Sequence, residues 1–206
     1  MNFHQNQNAD AKIRYFVAIP LNRHTKKQLR RVQADIRATG IQAGWPSADN
    51  FHLTLKFLGD MPEHILPDLK SILSEATKGK TCLNITFNRI GAFPNARHPK
   101  IIWIGPDKPN PELIALQQDI DSKLNAHFQF AKEKKFLPHI TLSRVRHYAK
   151  PVLVKKAIGI NTEAIKICVG QIHLIKSRLL PSGATHDSIF HVHFKASRCR
   201  QRRGKF

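Results

Sequence analysis

This chain repeats itself, and the repeat limits its folds more than any other feature. His-x-Thr-Leu occurs as His52-Leu-Thr-Leu and again as His139-Ile-Thr-Leu, 87 residues later, and apolar strand-like runs open 86 residues apart at Arg14 and Lys100. Between each run and its motif lies a helical pattern. In the first, Leu29, Val32 and Ile36 form one stripe and Gly40 stands where a helix would stop. In the second, Asn110 and Pro111 read as N-cap and first helical residue, followed by Leu113, Leu116, Ile120, Leu124 and Phe128 at helical spacing. Downstream of the first motif the pattern predicts a helix within 61–78, with Pro67 marking its start, and a strand over 82–93. Downstream of the second it predicts a helix near 151–158 and strands over 167–180 and 188–195. Two such units imply an α+β fold: bilobal, with a pseudo-two-fold, two antiparallel sheets flanking a central cleft and helices outside. Residues 12–196 are expected to form this single domain from two interlocked units, about 12–96 and 97–196. A loose polar leader (1–11) and a flexible basic tail (197–206) are expected to flank it.

Charge narrows the partners. Of 206 residues, 34 are Lys or Arg against 14 acids, for a net charge of +20 and a pI near 10.4. A polyanion is the expected partner, nucleic acid first and an anionic membrane surface second. A hydrophobic content of 41 % is enough for a packed interior. No apolar stretch approaches the roughly 20 residues of a spanning helix, and the first residues lack the apolar core of a signal peptide. Cys82, Cys168 and Cys199 are odd in number and widely spaced, which argues against a disulfide framework or zinc ribbon and for a cytoplasmic location.

Chemistry points to the repeated motif. Alternate residues of a strand share a face, so His52 and Thr54 point one way while Leu53 and Leu55 point into a core. His139 and Thr141 repeat this beside Ile140 and Leu142. Two imidazoles facing one cavity suit a reaction that takes up one proton and releases another near neutral pH. Hydrolysis of a phosphodiester with an internal leaving oxygen is such a reaction, and the threonine hydroxyls can donate to its non-bridging oxygens. By the same parity Lys56 is a candidate phosphate contact. Trp45, Phe51 and Phe136 precede the motifs and could stack on a base or pack in the core. His191 and His193 share a strand face, without the Cys, Asp or Glu cluster that a metal site would add. Asp119 and Asp121 are two residues apart on a helix and do not face each other. Neither a phosphate-binding P-loop nor a dinucleotide fingerprint is present.

The segments RYFVAIPL, HLTLKFLG, GAFPNARHPKIIWIG, PHITLSR and SRLLPSG together resemble the RNA 2′,3′-cyclic phosphodiesterase family. This is the LigT/ThpR group, also called 2′-5′ RNA ligase, of the two-histidine phosphoesterase superfamily. The resemblance spans about 12–196. It implies opening of RNA 2′,3′-cyclic phosphates to 2′-phosphates without metal or other cofactor, with His52 as proton donor and His139 as acceptor. It further implies a third contact for the phosphate or substrate beside the Thr54 and Thr141 hydroxyls, from Arg144. Strand parity opposes the last of these, since Arg144 shares the face of Ile140 and Leu142 unless a bulge turns it back. The implied partner is RNA with a cyclic phosphate end, tRNA halves being one candidate, and the protein is expected to be a monomer. Two alternatives stay open: reversible making and breaking of 2′-5′ linkages by the same groups, and a non-catalytic RNA-binding module.

Overall fold

Residues 13–130, 135–146, 149–180 and 183–195 are described by the computed structural model; the expected leader and basic tail lie outside them. In chain order the elements are β1 (Ile13–Pro20), α1 (Arg23–Ala38), β2 (Ala43–Gly44), β3 (His52–Met61), α2 (Leu66–Thr77), β4 (Leu83–Phe87), β5 (Arg89–Phe93), β6 (Ile101–Gly105), α3 (Pro111–His127), β7 (Ile140–Val145), α4 (Pro151–Ile158), β8 (Ile165–Val169), β9 (Gln171–Leu180) and β10 (Gly183–His193). Among the described residues no helix is long and apolar enough to cross a membrane.

The helix boundaries follow local chemistry. Asn22 and Asn110 cap α1 and α3, their side chains accepting from the backbone N–H of Thr25 and Leu113, and Pro111 opens α3. Gly40, just past α1, has φ of 84°, a left-handed conformation that suits glycine at this position. Pro67 sits in the first turn of α2, where its missing N–H costs nothing.

The strands form two four-stranded antiparallel sheets, ordered β10-β9-β1-β3 and β2-β7-β6-β5, and a β4-β8 ribbon. In the first sheet β1 is central. Tyr15, Val17 and Ile19 face the main core, and Phe16 and Ala18 pack with Ile175 on the opposite face, so its nearly unbroken apolar run is buried on both sides. The final strands change places: β5 of the first half pairs with β6 of the second, and β9 of the second half pairs with β1 of the first. One core cluster draws residues from both sheets and all four helices.

Several expected elements are corrected. The single strand over 82–93 is two, broken at Asn88, and the one over 167–180 is two, broken at Gly170, with each pair divided between the ribbon and a sheet. Apolar periodicity continues across both breaks, so it does not reveal the change of partner. The last strand starts at Gly183 instead of 188. Cys168 on β8 is disulfide-bonded, so wide spacing does not keep the cysteines out of a disulfide.

Candidate active site

Leu53, Leu55, Ile140 and Leu142 are buried in the core while His52, Thr54, His139 and Thr141 are partly exposed, as strand alternation requires. Both histidines are held alike. His52 Nδ1 lies 2.8 Å from the Asn50 carbonyl oxygen and His139 Nδ1 lies 2.8 Å from that of Leu137. A carbonyl only accepts, so each Nδ1 carries the hydrogen and each neutral ring keeps its lone pair on Nε2. The Asn50 amide in turn donates to the Ala184 carbonyl at 2.9 Å, which ties the first motif to β10.

Aromatic rings fix both imidazoles. Phe16 lies 4.7 Å from His52 centre to centre, and Phe93 meets His139 edge-on at 4.8 Å, with Trp103 behind Phe93 at 5.0 Å. Trp103 lies across Gly91, where an added Cβ would come within 2.3 Å of the indole. A third imidazole, His186, stands edge-on to His52 at 5.3 Å. Sequence reasoning missed it because β10 was expected to begin after it.

Bulges decide which residues after the motifs face the cleft. In β7 the register places Ile102 opposite Ser143 and Trp103 opposite Thr141, leaving Leu142 as an extra residue. Leu142 and Ser143 are therefore both buried, and Arg144 emerges exposed on the His139 face, which settles the parity conflict. Its positive charge reaches His52, His139 and His186. In β3 the extra residue is Leu55, since Ala18 opposes Thr54 and Val17 opposes Lys56. The same turn sends Lys56 into the core and brings out Phe57, which is 62 % exposed and 6.0 Å from the Phe16 ring.

The parity that made Lys56 a phosphate contact is thus corrected. Lys56 is 2 % exposed, with Nζ 2.6 Å from the Asp121 carboxylate on α3 and 5.5 Å from the centre of the Phe130 ring. Lys56→Met is expected to lower stability by about 2 kcal/mol, less than the roughly 3–5 kcal/mol of a fully buried pair, because Asp121 keeps a third of its side chain in solvent. Activity should not change. Urea unfolding and initial rates measure the two effects, and lowered activity at unchanged stability would return Lys56 to the cleft.

Of the aromatics before the motifs, Phe51 is a core residue, whereas Trp45 and Phe136 are only partly buried against the core and keep some exposed surface. His191 lies 5.5 Å from His173 and 5.0 Å from His193, ring centre to ring centre. Among the described residues no three His, Cys, Asp or Glu side chains form a group that could hold a metal.

Electrostatics favour neutral imidazoles at both positions. Burial pushes the His52 pKa down from 6.5 to about 4; the bond to the Asn50 carbonyl opposes this, and the charges of His186, His139 and Arg144 reinforce it. Burial also lowers His139, against the Leu137 bond and aided by Arg144. The paired sheets and the two matched histidines thus present a two-lobed, two-imidazole site with an arginine within electrostatic reach of both rings.

Comparison with known proteins places that arrangement. A family model, LigT like phosphoesterase, matches residues 19–103 and again 104–186, and the chain belongs to this family. It is 30 % identical over 184 residues to the RNA 2′,3′-cyclic phosphodiesterase of Thermotoga maritima, covering 89 % of this chain and 96 % of that one. It is 31 % identical over 183 residues to the protein of the same name from Methanocaldococcus jannaschii, covering 86 % and 98 %. The fold matches Escherichia coli LigT in its apo form at a TM-score of 0.73 and 21 % identity, covering 90 % of this chain and 100 % of that one.

Proposed function

We propose that this protein hydrolyses RNA 2′,3′-cyclic phosphate ends to 2′-phosphomonoesters by acid–base catalysis between two histidines, without a metal. The observation that carries the reading is the doubled lock: each motif histidine bonds through Nδ1 to the carbonyl two residues before it, leaving two matched Nε2 atoms as proton carriers. His139 Nε2 takes a proton from water as the water oxygen bonds to phosphorus. The bond from phosphorus to the ribose 3′ oxygen breaks, and His52 Nε2 gives that oxygen its proton. Thr54 and Thr141 donate to the non-bridging oxygens as their charge grows, and Arg144 balances it. The assignment of donor and acceptor follows the family resemblance, and the names of the relatives support the substrate class.

The test is product analysis on an oligonucleotide ending in a 2′,3′-cyclic phosphate, run with excess EDTA. A 2′-phosphate and undiminished turnover are expected. A 3′-phosphate would mean that the 2′ oxygen is the one that leaves, and loss of turnover restored by a divalent ion would overturn the metal-free mechanism. The acid must be protonated and the base neutral, so the kcat/KM profile is a bell. Because burial lowers both imidazoles from 6.5, its maximum is expected below pH 6.5. The kcat profile should lie at higher pH, since a bound phosphate anion favours imidazolium.

A further inference from the structure

Helix α1 breaks the rules of helix stability in one direction only. It has no acid in its first turn and carries Arg23 and Lys26 there instead, with Lys27 next, against the helix dipole. Arg23/Lys27, Lys26/Arg30 and Lys27/Arg31 are like charges four residues apart, an arrangement that destabilises a helix, and Asp35 is its only acid. Among the described residues, the ion pairs lie elsewhere and none relieves Arg23, Lys27, Arg30 or Arg31. Local choices that oppose the fold without a structural return point to function.

The helix is also tied directly to the site. Lys26 Nζ donates to the Asp49 carbonyl at 2.9 Å, close before the first motif, and Gln33 Nε2 donates to the Pro46 carbonyl at 3.0 Å and to that of the bulged Leu142 at 2.9 Å. Positive side chains bridge the distance to the cleft. On β2, Gly44 opposes Arg144, and the Arg146 side chain lies so close over Gly44 that an added Cβ would be 3.4 Å from its Nε. Next to it Trp45 has the Arg37 guanidinium 5.8 Å from its ring centre.

We propose that this run, from Arg144 over Arg146, Trp45 and Arg37 to Arg30 and the outer face of α1, is the track for the single-stranded RNA that precedes the cyclic phosphate. A succession of cations beside a partly exposed aromatic ring matches a phosphate backbone with stackable bases, and the track makes an RNA strand, not a free cyclic nucleotide, the preferred substrate. It rests on the phosphodiesterase reading for the identity of the bound end.

The test compares the full chain with a Lys27→Gln/Arg30→Gln/Arg31→Gln variant and with a control that removes equal charge away from β2, Lys108→Gln/Lys155→Gln/Lys156→Gln. Two readouts are used: turnover of 2′,3′-cyclic AMP, and Kd for a 2′-phosphate-ended oligonucleotide of about 12 nucleotides by fluorescence anisotropy. The α1 variant should melt no lower than the parent, turn over cyclic AMP at the parental rate, and bind the oligonucleotide about tenfold or more weakly at low salt. Its plot of log Kd against log salt should be shallower by about 2, at roughly 0.7 for each lost contact to a single strand. The control should move Kd far less. Equal effects of the two variants, an unchanged oligonucleotide Kd, or loss of binding to phosphatidylserine vesicles alone would each overturn the track. Failure of the parent to open cyclic AMP would instead sink the catalytic reading, while the Kd comparison still decides the track.

Discussion

Alanine at His52 or at His139 is expected to lower turnover of a 2′,3′-cyclic nucleotide by roughly a hundredfold or more, the scale of a lost general acid or base. Each ring is held by one backbone carbonyl and one or two aromatic neighbours, so its removal takes away the proton carrier and little of the surrounding frame. Affinity for a 2′-phosphate product, for which the threonines and Arg144 are the proposed contacts, should change much less. The two single variants should each approach the rate of the double, since proton uptake and release serve one displacement. Near-normal turnover by either single variant in a clean preparation would sink the mechanism.

Arg144→Gln is expected to raise KM for the cyclic phosphate by roughly 10- to 100-fold, the worth of a charge-assisted hydrogen bond. A second effect separates it from an ordinary binding defect. The arginine charge lowers both His52 and His139, so its removal raises both. The base must be neutral, and the acid limb moves to higher pH; the acid must be protonated, and the alkaline limb moves the same way. The whole kcat/KM bell should therefore shift to higher pH. An unchanged KM and an unmoved profile in stopped-time assays would place Arg144 outside the site.

The motif residues were legible because strand alternation is local: the histidines and threonines of both motifs point away from their buried leucine and isoleucine neighbours, and both asparagine caps and the proline starts act within a turn of where they stand. Arg144 and Lys56 were not legible by the same rule. Each follows its motif histidine within five residues, and the bulges at Leu55 and Leu142 reverse both placements. A bulge depends on how the partner strand is registered, which no short pattern records. The bulged strand of each sheet is also joined to an outer helix, through Gln33 in one case and Asp121 in the other, and those contacts cross the chain over long separations. His186 was hidden for a related reason: its strand is defined by pairing with β9, and its own neighbours are small and polar.

The exchange of β5 and β9 has a consequence for synthesis. When the first half has left the ribosome, β1 can pair with β3 on one side, but its other neighbour, β9, has not yet been made. The nascent sheet then presents an apolar strand with an open edge, which is a template for pairing with other chains. Closing it requires contact between segments more than 150 residues apart in the chain, a slow step for loop closure. A truncated product ending before β9 should for that reason aggregate, and a chaperone that shields strand edges would act during the translation of the second half.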